Sequence, residues 1–428
     1  MNQRKVSVNS MPHCSGNLVP TETHSPEAPV PGQFVTMAVL LLAAMTIMSN
    51  ATIAPSLPGL KEHYSHTPGI ETLSGLILTL PSASIVITAG LFGWLADRYD
   101  RQKLLLLAAV LYALGGTSGL WAQNLTQMLA GRAVLGVGVA GTMTLAMAWA
   151  ADLWLGEARA RFMGQQGAAM SVGGIVVMLM GGALATLHWR GAFAVYVLVV
   201  PVAIMALVAL APHAAQRRGR ADVARAQRRH ASDGRFPWAA FAFVGPLAFF
   251  FMAVFYVMPT RLPFLLGDLG VSSSMLVGIV MACFTLAAVP GALNYGRLRR
   301  YLSPMSIFAL SYALMGLGLY LIGMGQGVGL VVAGSLVAGL GMGPSMPNYT
   351  TFFMGFVPAS ARGRASGLLT TAFFAGQFAS PLVSAPLVAR FGLPGAFHAL
   401  GLMLWGVALV LVLAGYRGRF ATAPRTPM

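Results

Sequence analysis

Charge is scarce in this chain. Asp, Glu, Lys and Arg make up 9% of its 428 residues, against about 25% in an ordinary soluble domain. Acid is scarcer still, with 11 Asp and Glu against 27 Lys and Arg. The two cysteines, Cys14 and Cys283, lie too far apart to suggest a disulfide framework or a thiolate metal site. The sequence has no Gly-x4-Gly-Lys-Ser/Thr phosphate loop, no clustered metal ligands and no catalytic constellation. An ATP-driven machine, a metalloenzyme and a disulfide-stapled domain are therefore excluded as readings. No catalytic residue, cofactor or metal is expected.

The chain is instead rich in apolar residues, at 57%, and in glycine, at 50 residues. A soluble fold could not hide so much apolar surface, so lipid must be the solvent for most of it. Small residues let helices approach closely in lipid, so the glycine suits a packed bundle. About 20 mostly apolar residues cross a bilayer core as a helix. Twelve such stretches are predicted, near 34–54, 71–93, 103–122, 127–150, 162–185 and 192–212, then 237–258, 270–294, 304–325, 328–351, 365–388 and 395–415. Residues 1–33 read as a polar, proline-bearing tail without the layout of a cleaved leader. Residues 213–236 read as a basic linker between bundles 34–212 and 237–416, and 417–428 as a second tail.

Orientation follows from the loops. With the amino terminus in the cytoplasm, 22 of the 27 basic residues fall on the cytoplasmic side. Lys61, Arg190, Arg261 and Arg390 fall outside, and Arg132 falls within a span. An even number of spans returns the carboxyl terminus to the cytoplasm. The run from Arg217 to Arg235 fits a topology-fixing loop near anionic headgroups better than a nucleic-acid site.

A fixed offset of 203 residues relates the halves without gaps over about 100 positions. It pairs Gly75 with Gly278, Gly131 with Gly334, Gly136 with Gly339, Gly138 with Gly341, Arg161 with Arg364 and Gly164 with Gly367. Six spans separate the copies, so both begin on the same side. They are parallel repeats, an arrangement that places a substrate site near the midplane between two rocking bundles.

Four motifs carry a resemblance. Gly93-Trp94-Leu95-Ala96-Asp97-Arg98-Tyr99-Asp100-Arg101 resembles the major facilitator loop Gly-x-Leu-Ala-Asp-Arg-x-Gly-Arg, with Asp100 where the family has Gly. Arg132-Ala133-Val134-Leu135-Gly136-Val137-Gly138 is similar to the family's span-four pattern. Gly164, Gly173, Gly181 and Gly182 match its span-five glycines, but Val177 and Met178 stand where drug:proton antiporters carry Gly-Pro. Asn50 to Pro58 resembles the first span of the twelve-helix drug exporters.

The resemblance implies an all-α membrane protein of twelve helices in two parallel six-helix repeats. It makes Gly93, Asp97, Arg98 and Arg101 a cytoplasmic gate, with Gly93 in close helix contact at the seam. It assigns coupling to Arg132 with Asp152. An interfacial position for Arg132 near the end of a short span remains an alternative. The expected partners are a small molecule, protons and the lipid bilayer; nucleic acid is not expected, and a monomer is. The expected place is a bacterial inner membrane.

None of the acids falls at mid-membrane. A carboxylate that binds either a proton or a cation would couple the export of cationic drugs, so the cavity reads as neutral or slightly positive. Asn50, Gln166, Tyr256, Asn348, Phe374 and Gln377 are the candidate cavity residues, with helix–helix ties as the alternative for each. Export of small amphiphiles is the leading reading. Transport of a specific metabolite such as a sugar, an organic acid or a siderophore is the alternative.

Overall fold

The structure, a computed structural model, describes residues 31–154, 156–212, 236–325, 327–358 and 361–416. The two tails and nearly all of the basic linker lie outside the described residues, which are helical and contain no strand.

Eleven helical stretches are long and apolar enough to cross a bilayer. Spans one to six are Gln33–His63, Ile70–Arg98, Arg101–Trp121, Leu125–Leu153, Arg161–Leu187 and Trp189–Pro212. Spans seven to ten are Trp238–Asp268, Ser274–Leu293, Pro304–Gly323 and Val328–Met354. The last stretch, Arg362–Ala414, has 53 residues. As one straight helix it would run about 80 Å, far beyond the roughly 30 Å core. It is two spans, because the backbone leaves the helix at Gly392 (φ 71°, ψ 176°). Span eleven is thus 362–391 and span twelve 393–414, which gives the expected twelve.

Such a conformation is essentially confined to glycine. Gly392→Ala should therefore cost about 1–3 kcal/mol. Thermal unfolding in detergent reads this as a lower Tm, and an unchanged Tm would refute it.

The terminal end of the bundle is where span one begins and span twelve ends; the far end is opposite. The first span of each half breaks on its way to the far end. In span one the helix Gln33–Ala51 gives way to a 3-10 turn at Ala54–Ser56 and a short helix Leu57–His63. Pro55 has no N–H and its ring clashes with the carbonyl four residues back. Span seven changes from Trp238–Phe255 to Val257–Asp268 just ahead of Pro259.

The repeat is visible in the packing. A Cβ on Gly136 would strike Pro81 and Ser84, and one on Gly339 would strike Phe284 and Ala287. A Cβ on Gly138 would strike Tyr112 and Ala108, and one on Gly341 would strike Met315 and Ser311. The glycines and their neighbours obey the same 203-residue offset. The shared spacing therefore encodes one helix packing used twice: span four on spans two and three, and span ten on spans eight and nine.

The seam between halves obeys it too. Gly75 in span two faces Pro381 in span eleven, where an added Cβ would lie 3.0 Å from the proline Cβ. Gly278 in span eight faces Met178 in span five, 3.2 Å from its carbonyl, and lies 3.6 Å from the Cα of Gly182. All five belong to the far half of their spans. Toward the terminal end, Gly164 and Gly167 in span five and Gly363 and Gly367 in span eleven have open space where a side chain would be. The seam is shut at the far end and open at the terminal end.

Candidate functional site

The shut part of the seam is floored by a polar cluster. Asn50 stands in the last turn before the break in span one. Its Nδ2 lies 3.1 Å from Ser82 Oγ, 3.4 Å from Tyr256 OH and 3.4 Å from Gln377 Oε1. Ser82 Oγ donates to Gln377 Oε1 at 2.9 Å. The first half supplies Asn50 and Ser82, and the second supplies Tyr256 and Gln377, so the cluster ties the halves together. Three expected cavity residues meet here, and half-buried Phe374 stands one turn from Gln377 on the same helix face.

Asn50 Oδ1 is buried without a partner. Turning the amide over changes which end is unpaired but still leaves one end so. A buried amide end without a partner costs about 1–3 kcal/mol, which a bound neutral polar group would relieve.

The other two cavity candidates lie elsewhere. Gln166 is near the terminal end of span five, with Nε2 3.5 Å from Met147 Sδ and Oε1 buried without a partner. Asn348 is fully buried and acts as a tie. It donates to Pro304 O at 3.0 Å and accepts from Tyr295 OH at 3.2 Å, fixing the connection between spans eight and nine onto span ten. Partial burial raises the Tyr295 hydroxyl above its usual range, which keeps it a donor.

Arg132 is fully buried within the protein. Its Nε donates to Ile77 O at 2.8 Å, its Nη1 to Tyr196 OH at 2.9 Å and its Nη2 to Ser49 O. The helix partner of Ile77 O would be the N–H of residue 81, which is a proline. Ser49 O belongs to the last turn before the break in span one, where carbonyls lose their helical partners. The guanidinium therefore satisfies one carbonyl that Pro81 leaves bare and another in the last turn of a broken helix, where a cation suits the helix end. Tyr196, which carried no signal in the sequence, joins it by donating to Ser49 O at 2.9 Å.

Arg132 and Asp152, the two residues expected to serve coupling, do not meet. Both lie on span four, about 30 Å apart by helical rise. Asp152 instead meets Arg101, Oδ2 to Nη1 at 2.8 Å. Arg101 also donates to Ala96 O at 3.5 Å and lies 5.6 Å from the Trp149 ring, which joins spans two, three and four at the terminal end. Arg98 stacks 4.0 Å above Trp94, and Asp97 is exposed beside it. Asp100, where the family pattern has Gly, accepts from Gln102 N at 2.9 Å and caps span three. Gly93 departs from expectation. The family pattern implies a close helix contact at the seam, yet a Cβ there meets only Thr144 Cγ2 at 4.0 Å. The reason is that the seam is open at this end.

Among the described residues no group of His, Cys, Asp or Glu could hold a metal ion.

The pattern of the Major Facilitator Superfamily matches residues 39–381, which is most of the chain. The chain belongs to this superfamily. Major facilitator proteins are transporters of small molecules rather than enzymes. Among curated relatives, the chain is 27% identical over 198 residues to the MFS-type efflux pump LUC4 of a Fusarium species, covering 45% of this chain and 34% of that one. It is 29% identical over 149 residues to the bacillibactin exporter of Bacillus subtilis, covering 33% and 36%. It is 30% identical over 162 residues to the class C tetracycline resistance protein of Escherichia coli, covering 36% and 39%. The chain thus spans roughly a third of the length of the curated relatives it matches. Among solved structures, the xylose transporter XylE of E. coli in its inward-open conformation superposes with a TM-score of 0.70 at 15% identity, covering 92% of this chain and 97% of that one. A D-xylose–proton symporter gives 0.68 at 18% identity, covering 88% and 96%. These likenesses establish the major facilitator fold.

Proposed function

We propose that this chain is a secondary active transporter that exports small amphiphilic molecules by alternating access, exchanging them for protons. It works as a monomer in a bacterial inner membrane with both termini in the cytoplasm. The terminal end is then the cytoplasmic face, as the basic loops favour, and the structure is the state open to the cytoplasm. The observation that carries the reading is the one-ended seam, shut by mirrored glycine contacts with a polar cross-half cluster at its floor. The names of the relatives favour export. The coupling role of Arg132 takes the form of holding the break in span one, which places Asn50. Gly93, Asp97, Arg98, Arg101 and Asp152 form the cytoplasmic gate. Gln166 lines the entrance and Phe374 the wall above Gln377; Asn348 acts through the frame.

Inside-out vesicles with an imposed pH gradient test this. Uncharged or anionic amphiphiles should accumulate with the gradient, and accumulation indifferent to it would remove the antiport reading. The neutral floor also predicts selectivity. Ethidium-like cations should be poor substrates of the native protein. Asn50→Asp should raise their export several-fold at neutral pH, as a fluorescence assay in cells would report. Strong native cation export would contradict the neutral-cavity reading.

A further inference from the structure

The floor of the shut seam is unbalanced in its hydrogen bonds. Gln377 Oε1 accepts from Ser82 Oγ at 2.9 Å and from Asn50 Nδ2 at 3.4 Å. Asn50 Nδ2 also donates toward Ser82 Oγ and Tyr256 OH. The oxygens of Gln377, Ser82 and Tyr256 are thus engaged inside the cluster. The remaining acceptor, Asn50 Oδ1, is closed off from open space. Hydrogens are what is left over. Gln377 Nε2 carries two, and Tyr256 OH carries one. None of these finds an acceptor among the described residues. Gln377 is only 8% exposed, yet its Nε2 is not closed off as Asn50 Oδ1 is.

The bonds also fix which way the two amides point. With Gln377 alone turned over, its Nε2 would stand 3.4 Å from Asn50 Nδ2, donor against donor. With both turned over, the sealed end of Asn50 would hold two unmet hydrogens in place of one unmet carbonyl. Buried N–H groups go unpaired more rarely than carbonyls. The free hydrogens of Gln377 therefore face the open side of the floor, which is the terminal side. One turn past Gln377, Pro381 packs on Gly75 and shuts the seam. One turn before it, Phe374 is half-buried, and farther toward the terminal end Gly367 has open space. The charge beside the floor has the matching sign. Arg132 Nη2 donates to the carbonyl of Ser49, the residue before Asn50. The described acids lie at the two ends of the bundle, with Glu62, Glu71 and Asp268 at the far end and Asp97, Asp100 and Asp152 at the terminal end.

We propose that Gln377, with Tyr256 beside it, selects substrates by an oxygen acceptor on their polar head: a carboxylate binds best, a ketone carbonyl less well, and an ammonium is turned away. The amide hydrogens and the phenol meet the oxygen, the apolar tail lies along Phe374, and the Arg132 guanidinium favours negative charge without touching it. A head that can only donate meets hydrogens with hydrogens. Asn50 Oδ1 comes within reach of a substrate only as the floor parts. This selectivity presupposes that the cluster is the floor of the substrate cavity, as proposed above, and it narrows the exported amphiphiles to those that present an acceptor.

Octanoate, octan-2-one and octylammonium share a tail and differ in the head, so they serve as probes. Each is titrated calorimetrically into the full chain in lipid nanodiscs, in mildly alkaline buffer, with empty nanodiscs subtracted. Octanoate should bind the native protein about ten- to a hundredfold more tightly than octylammonium, the scale set by hydrogen bonds to a charged group. Octan-2-one should fall between them. Gln377→Met removes both hydrogens at nearly the same length and should erase the preference. Gln377→Glu replaces the donors with a carboxylate and should reverse it. Tyr256→Phe deletes a single hydroxyl; it should weaken octanoate several-fold and leave octylammonium unchanged, which keeps a test in hand if the Gln377 variants do not fold. Equal binding of octanoate and octylammonium to the native protein, no binding of octanoate, or a native order of affinities in Gln377→Glu overturns the proposal. Binding at equilibrium needs no gradient, so a vesicle experiment that removes the antiport reading leaves this selectivity standing, and the reverse holds too.

Discussion

Arg132→Ala is expected to abolish transport and to destabilise the protein by about 3–5 kcal/mol, the range seen when one partner of a buried charged interaction is removed. The cost arises from what the guanidinium leaves behind. The Ile77 carbonyl loses the donor that replaces the missing N–H of Pro81. The Ser49 carbonyl keeps Tyr196 but loses the cation. Each bare group in an apolar interior costs about 1–3 kcal/mol. Transport fails because the break in span one is no longer pinned to spans four and two through the guanidinium, and Asn50 sits in the turn before that break. Arg132→Lys keeps the charge as a compact ammonium without the planar fork. It can reach only part of the set, and should lose about 1–3 kcal/mol and most of the activity. Thermal unfolding in detergent and vesicle transport measure the two effects. An Arg132→Ala protein with native Tm and rate would show that these hydrogen bonds hold nothing.

The second large effect is expected at the seam. Gly278→Leu places a side chain against the Met178 carbonyl, the Gly182 backbone and Pro55, whose Cγ is 3.7 Å from the new Cβ. Overpacking typically costs about 1–3 kcal/mol. Here it weighs only on the state with a shut far end, so the open-to-shut ratio at that end should rise about five- to a hundredfold. Net transport should fall accordingly while overall stability changes little. Gly75→Leu, its mirror against Pro381, should act in the same direction. Gly164→Leu has open space in this state. It should leave far-end closure unchanged and instead hinder closure of the terminal end. Accessibility of single cysteines placed at the two ends separates these outcomes. Equal behaviour of Gly278→Leu and Gly164→Leu would contradict the one-ended seam.

Much of this was legible in the sequence because lipid and close packing leave strong marks. Apolar runs located most spans to within a few residues, but spans one and seven run nine and ten residues past their expected ends because a short helix continues after each break. The paired glycines reported real packing, since each must admit a neighbouring backbone and the neighbours repeat with them. Arg132 was recognisable as a buried cation in need of partners. Its actual partners were not, because they are backbone carbonyls set bare by Pro81 and by the break at Pro55. Hydropathy carries no record of which distant side chain meets which carbonyl. The same limit separates Asn50, Tyr256 and Gln377, which converge, from Asn348 and Gln166, which do not. A polar residue on an apolar helix signals a hydrogen bond, but the rotation of the helix decides whether it faces the cavity or a neighbour. Ser82 was passed over for a related reason, since a small hydroxyl is satisfied as readily by its own helix. Asp100 was read as a departure from a motif, although an acid just before a helix is a cap in its own right.

The neutral floor has an electrical consequence. Moving one elementary charge across a membrane potential is worth about 2.3 kcal/mol per 100 mV. In the described core, the polar cluster carries no charge, and Arg132 is bonded only to spans of its own half, so it travels with that half as it rocks. In the antiport proposed above, with an uncharged substrate, the charge that crosses the field in one cycle is that of the exchanged ion. Current measured per molecule exported would then count protons directly, without correction for gating charge.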